Sequence, residues 1–154
     1  MLKFVMTCGA CPEQYDAFLD GEQVGYLRLR HGHFSVECPD SGGTEVYAAK
    51  TKGDGLFYED ERDFHLSMAA RAILNDHGSE RYAADGFMAN LISGKAKLTD
   101  VDDYVDRWHR DPVGTRQGYL GLDEEEWVTF VRTGEVILGA RYEVVDSDED
   151  ESEV

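Results

Sequence analysis

The sequence predicts an α+β fold: an antiparallel β-meander backed by two helices, followed by a small helical segment and an acidic, disordered tail. Three observations carry this. Apolar and polar side chains alternate through the first 50 residues between recurrent turn signals. Helical spacing takes over after residue 59, and the acidic charge gathers in the last third of the chain.

Residues 2–7 are expected to form an edge strand. The next two strands, 15–19 and 24–30, flank Asp20-Gly21, which supplies the positive φ that a tight hairpin turn needs. His31-Gly32 is a second such turn and leads into a strand over 33–38. A turn cluster at 39–43 precedes a fourth strand over 44–49. Val24, Tyr26 and Arg28 alternate with Gly25, Leu27 and Leu29, the pattern of a sheet with one wet face. Lys52-Gly-Asp-Gly55 ends the sheet.

Leu66, Ala69, Ala70, Ile73, Leu74 and His77 lie on one face of a helix that stops at Gly78. Ser79 is expected to cap a second helix, with Ala84, Phe87, Met88, Leu91 and Ile92 buried and Gly94 as its stop. Residues 1–98 thus read as one α+β domain. Residues 99–145 read as a helical segment with a possible return strand, and 146–154 as the tail. In the segment, Thr99 is the expected cap of a helix whose apolar side is Val101, Tyr104, Val105 and Trp108. A glycine-bearing loop with Pro112 follows. Asp123 caps the next helix, Glu126 completes a capping box, and Gly134 ends it. Strand composition over 136–145 suggests a return to the sheet or an edge.

The 154 residues hold 15 Lys and Arg against 32 Asp and Glu, a net charge of −17. Residues 99–154 alone carry 17 acids and 5 bases. This charge argues against contact with a nucleic-acid backbone, whose binding depends on Lys and Arg, and against adsorption to an anionic membrane. Arg outnumbers Lys, as in halophilic proteins, but the charge is concentrated rather than spread. The opening Met-Leu-Lys-Phe-Val-Met is too short for a signal-peptide core, and no later stretch has the roughly 20 apolar residues of a membrane span. An odd count of three cysteines fits a reducing compartment. The expected location is the cytoplasm of a bacterial host cell.

Three groups of residues suggest chemistry. Cys8-Gly-Ala-Cys11 and Cys38-Pro-Asp-Ser41 resemble the two turns of a zinc ribbon, except that Ser41 stands where the fourth sulfur would be, and a neutral hydroxyl ligates zinc poorly. The favoured reading is buried thiols and no cofactor; the alternative is a structural zinc on Cys8, Cys11 and Cys38, with His33 or His31 completing the set. His33-Phe-Ser35 and His65-Leu-Ser67 resemble the paired triplets of two-histidine phosphoesterases, where two imidazoles serve as acid and base. Asp100, Asp102, Asp103, Asp106, Asp123, Glu124, Glu125 and Glu126 form an acidic constellation. Helix dipoles account for those in first turns, but not well for Asp103 and Asp106. Carboxylates spaced along a rigid surface can imitate phosphates and occupy a basic channel.

The stretch from Pro12 through Tyr26-Leu-Arg-Leu-Arg-His-Gly32, continuing to Cys38-Pro-Asp-Ser-Gly-Gly43 and Lys52-Gly-Asp-Gly55, resembles small proteins of phages and prophages. Asp102-Asp-Tyr-Val-Asp-Arg-Trp-His109 with Tyr119-Leu-Gly-Leu-Asp-Glu-Glu-Glu-Trp127 is similar to a helical segment in small proteins of mobile elements. Together they cover about residues 12–131 and bring no catalytic residue to any position here. The resemblance implies a setting, a mobile element inside a bacterium. The function expected from setting and charge is a non-enzymatic inhibitor of a basic host nucleic-acid-handling defence complex, of the anti-CRISPR type, with the eight acids as contacts. An antitoxin-like or regulatory partner of a basic protein is the alternative, and a small phosphoesterase using His33 and His65 is a second.

Overall fold

A computed structural model describes residues 1–9 and 12–146. The fold is α+β, and the chain divides into two compact units: Met1–His77 with Ala140–Val154, and Gly78–Gly139.

The first unit is built on a six-stranded sheet in the order β5-β4-β3-β2-β1-β6. Its strands are β1 (Leu2–Cys8), β2 (Glu13–Leu19), β3 (Glu22–Arg30), β4 (His33–Cys38), β5 (Thr44–Lys50) and β6 (Tyr142–Asp146). The first five form the expected meander. Asp20-Gly21 and His31-Gly32 turn it, with φ of 52° and 83° in the first pair and 54° and 70° in the second. Two adjacent residues at positive φ give the type I′ geometry whose twist matches the strands.

β1 is not the edge strand its composition suggests. β6 returns from the far end of the chain and pairs parallel to it, Phe4 opposite Val144 and Met6 opposite Asp146. Asp146 therefore closes a strand instead of opening a tail. The remainder of the acidic run, 147–154, lies outside the described residues, as does Cys11.

Alternation divides the two faces. Leu2, Phe4, Tyr15, Ala17, Leu27, Leu29, Phe34 and Val36 are buried on one side. Across it runs α1 (Glu59–His77), whose Leu66, Ala69, Ala70, Ile73 and Leu74 are buried as expected, while His77, read on the same face, is exposed. The closest approach is at Gly25, where an added Cβ would lie 2.8 Å from the Ile73 side chain. Gln14, Asp16, Tyr26, Arg28, Ser35 and Glu37 alternate with the core positions and form the opposite face.

The second unit holds α2 (Phe87–Ile92), a 3₁₀ turn (Leu98–Asp100), α3 (Val101–Arg110), α4 (Arg116–Leu120) and α5 (Glu124–Thr133). Two expectations are corrected here. The helix expected from Ser79 begins only after Gly86, because residues 79–86 run as bends, irregular chain and one turn, and it lies in this second unit, which begins at Gly78. Thr99 does not cap α3: the chain enters through the 3₁₀ turn, and the Asp100 carboxylate accepts from the Lys97 backbone N–H at 2.8 Å. Gly134 does end α5, at φ 77°. Among the described residues no helix is long and apolar enough to cross a membrane.

Candidate functional site

Helical spacing places the acids of α3. Val101 and Tyr104 are buried, and Val105 and Trp108 half-buried, so Asp102, Asp103 and Asp106 project from the opposite side and are exposed. Asp106 stands four residues from Asp102 and three from Asp103, the spacing at which helical side chains are neighbours and like charges repel. Arg107 follows Asp103 by four and would ordinarily pair with it. Its guanidinium lies instead over the Tyr104 ring, 4.5 Å from the centroid. Arg116 is likewise taken up by aromatics: it lies 5.7 Å from the Trp108 ring centre and 5.3 Å from that of Trp127. In the sheet unit, ion pairs join Lys52 to Asp60, Arg62 to Glu13 and Glu61 to His65. The carboxylates of Asp102, Asp103, Asp106, Glu124 and Glu125 are exposed and stand outside every one of them.

The remaining three acids have work inside the unit. Asp123 and Glu126 form the expected capping box: Asp123 Oδ1 accepts from Glu126 N at 2.8 Å, and Glu126 Oε1 from Asp123 N at 3.0 Å. Glu126 Oε2 also accepts from Gly139 N at 2.7 Å, and the residue is 2% exposed. Its inclusion in a partner-binding face is therefore corrected: it fastens the segment after α5. Asp100, half-buried, holds the turn before α3.

The candidate zinc ligands are not gathered. Cys8 ends β1 and Cys38 ends β4, with two strands between them and Cys8 level with Ser35 in the register, so they stand more than about 14 Å apart at ordinary strand spacing. Cys38 is buried, and desolvation with the added charge of Asp76 pushes its thiol up to about 12. His33 is exposed at the opposite end of β4. Among the described residues no three His, Cys, Asp or Glu side chains are grouped to hold a metal ion.

The two histidines of the phosphoesterase pattern lie on opposite sides of the sheet. His33 is exposed, while its neighbour Phe34 faces the core and packs against His65 with ring centres 6.0 Å apart. His65 is enclosed by Phe34, Tyr47, Phe57 and Phe64. The Tyr47 hydroxyl lies 2.9 Å from its Nδ1, and Glu61 Oε1 lies 3.9 Å from its Nε2. Burial holds its pKa below the usual 6.5, outweighing the opposite pull of Glu61. The two imidazoles cannot reach one phosphodiester.

The pattern reading missed a buried polar cluster that fastens the 51–58 loop to the sheet. Glu13 is 1% exposed and accepts a two-point contact from Arg62, at 3.0 and 3.2 Å. It also accepts from Phe57 N and from the Tyr15 hydroxyl. Glu61 accepts from the backbone N–H groups of Lys52, Gly53 and Tyr58, each at 2.9 Å. One signal was visible: Glu13, Tyr15 and Ala17 share a strand face, so a carboxylate occupied a core position.

Compared with protein-family models, with curated proteins and with solved structures, the chain matches none of them.

Proposed function

We propose that the chain is a binding protein whose helical unit docks, through the exposed carboxylates of α3 and the first turn of α5, onto a basic nucleic-acid-handling protein and blocks it by occupancy. The resemblance to phage and mobile-element proteins makes a host defence complex of the anti-CRISPR target type the first partner to test. One observation supports the reading above the others. Arg107, which follows Asp103 by four, is stacked on Tyr104, and neither it nor Arg110, which follows Asp106 by four, is ion-paired to the helix, so Asp102, Asp103 and Asp106 stand as unpaired neighbours that repel one another. Mutual repulsion along a helix is unfavourable in the free protein and is relieved against a basic surface.

The test compares the intact chain with an Asp103→Lys/Asp106→Lys variant in pull-downs from bacterial lysate at low and high salt, with duplex DNA as competitor. The expected result is a nucleic-acid-binding protein held by the native chain, released by salt and displaced by DNA. The variant should bind it at least about tenfold more weakly, roughly 1.4 kcal/mol, with a shallower salt dependence and an unchanged melting temperature. Equal capture by both forms would refute the acidic face as the contact.

A further inference from the structure

We propose that the exposed face of the sheet carries a binding site for a small, hydroxylated phosphate monoester, held by Arg28 and Arg30 beside Asp54. This site is in the sheet unit and does not depend on the acidic helices.

The end of the sheet where β3 turns into β4 encloses a cavity of about 420 Å³, within the range of small-molecule sites. Arg28, Arg30, His31, Gln14 and Asp54 supply its polar lining. Register explains the convergence. Arg28 and Arg30 are two residues apart on one strand and share the face opposite α1, and Gln14 lies directly across from Arg28. His31 is carried into position by the left-handed turn.

The opposite wall is a loop held rigidly from several sides. Gly32 N donates to Asp54 O at 2.6 Å, Thr51 N to Gly32 O at 2.9 Å, and Glu13 N to Gly55 O at 2.8 Å. Glu13 and Glu61 grip the same loop from the core side. A wall positioned in this way is preorganised, so little ordering cost remains for a ligand to offset.

Two observations point to an anion. First, Arg28 and Arg30 both line the cavity, and each guanidinium brings a fixed positive charge and five N–H donors. Second, in a chain of net charge −17 this end of the face gathers basic residues: Arg28 and Arg30 share one strand, and Lys50 lies across from His33, which lies across from Arg30. Neither Arg28 nor Arg30 belongs to any of the ion pairs among the described residues.

Two guanidiniums match a dianionic phosphate better than a single carboxylate, because planar forks pair with its oxygens at two points, and His31 Nε2 accepts from Arg30 Nε at 3.2 Å, which orients that fork. Asp54 is the exception in the lining, and it fixes the second feature of the ligand. A carboxylate beside an anion site repels a bare anion and accepts from a ligand hydroxyl, so it favours a phosphate that carries such a donor.

The experiment titrates the intact, isotopically labelled chain with inorganic phosphate and with ribose 5-phosphate at constant ionic strength, following backbone amides by NMR. Saturable shifts confined to residues near 14, 28–32 and 53–55 are expected, with ribose 5-phosphate the tighter probe. Arg30→Gln, an exposed position that folding does not depend on, should weaken both probes at least about tenfold. Arg28→Gln should do the same. Asp54→Asn should abolish the preference for ribose 5-phosphate and leave phosphate binding in place. Lys97→Gln, in the helical unit, should change nothing. Shifts that stay linear in phosphate, that spread over the whole surface, or that persist undiminished in Arg30→Gln would overturn the site.

Discussion

Replacing Glu61 should be among the most damaging single changes in the sheet unit, although the residue reads as one more acid in the first turn of a helix. Its Oε1 accepts from Lys52 N and its Oε2 from Gly53 N and Tyr58 N. The Gly53 bond is buried; the other two are partly so. A hydrogen bond to a charged acceptor contributes about 1.5–3 kcal/mol, and a buried donor left bare costs about 1–3 kcal/mol. Truncation lets water reach Lys52 N and Tyr58 N, so those two together cost about 1 kcal/mol, while Gly53 N costs nearer 2–3 kcal/mol. Glu61→Ala should therefore lose about 3–4 kcal/mol in urea unfolding at neutral pH, a large share of a domain's usual 5–15 kcal/mol. Glu61→Gln keeps one accepting oxygen and should lose about 2 kcal/mol.

The acid side of the curve gives a second check. Desolvation pushes the Glu61 carboxyl up, but the backbone donors of Lys52, Tyr58 and Gly53, with His65, outweigh it and hold it below its ordinary value of 4.5. A depressed carboxylate contributes its stability above the unfolded value and loses it as pH falls through the folded value. The native and Gln curves should thus converge below about pH 4.5. Amide hydrogen exchange should show the Gly53 N–H losing protection first in both variants. Losses under about 1 kcal/mol in both, or an undisturbed Gly53 amide, would refute the idea that this carboxylate holds the loop.

Gly53→Ala should disturb the same loop from the other side. An added Cβ would sit 1.7 Å from the Leu56 carbonyl oxygen, a backbone atom that cannot step aside. A loss of more than about 2 kcal/mol is expected, with weakened phosphate shifts at residues 53–55; an unchanged melting temperature would contradict it. His65 is buried, and its pKa is depressed chiefly by desolvation. The stability this neutral imidazole supports is complete above pH 6.5 and falls as pH drops through the folded value. His65→Phe should flatten that part of the pH–stability curve, and an equally steep curve in the variant would assign the effect elsewhere.

Local chemistry was legible in the sequence because it needs only neighbours. Asp20-Gly21 and His31-Gly32 turn the chain whatever lies beyond them, and alternation assigns each strand its faces. The spacing of Leu66, Ala69, Ala70, Ile73 and Leu74 likewise marks a helix, although tertiary packing buries α1 on all sides from His65 to Leu74 and leaves His77 exposed. The capping box at Asp123 and Glu126 is also a short-range pattern, and it formed as read. What could not be read is whatever depends on partners distant in the chain. β6 pairs with β1 across more than a hundred residues, so neither the edge strand nor the fate of Asp146 follows from composition. Glu126 has the same charge as Glu124 and Glu125, and only a backbone N–H thirteen residues on separates a buried fastening from an exposed contact. Cys8, Cys38 and His33 match a ligand set in spacing, yet strand order and side-chain alternation scatter them. Arg28, Arg30 and Asp54 have no shared motif, because a cavity wall is assembled by register and by a loop anchored from beneath. Sequence determines the elements through forces that act within a turn or two of the chain. Sites are made by the packing of those elements, where the free energy depends on which distant groups meet.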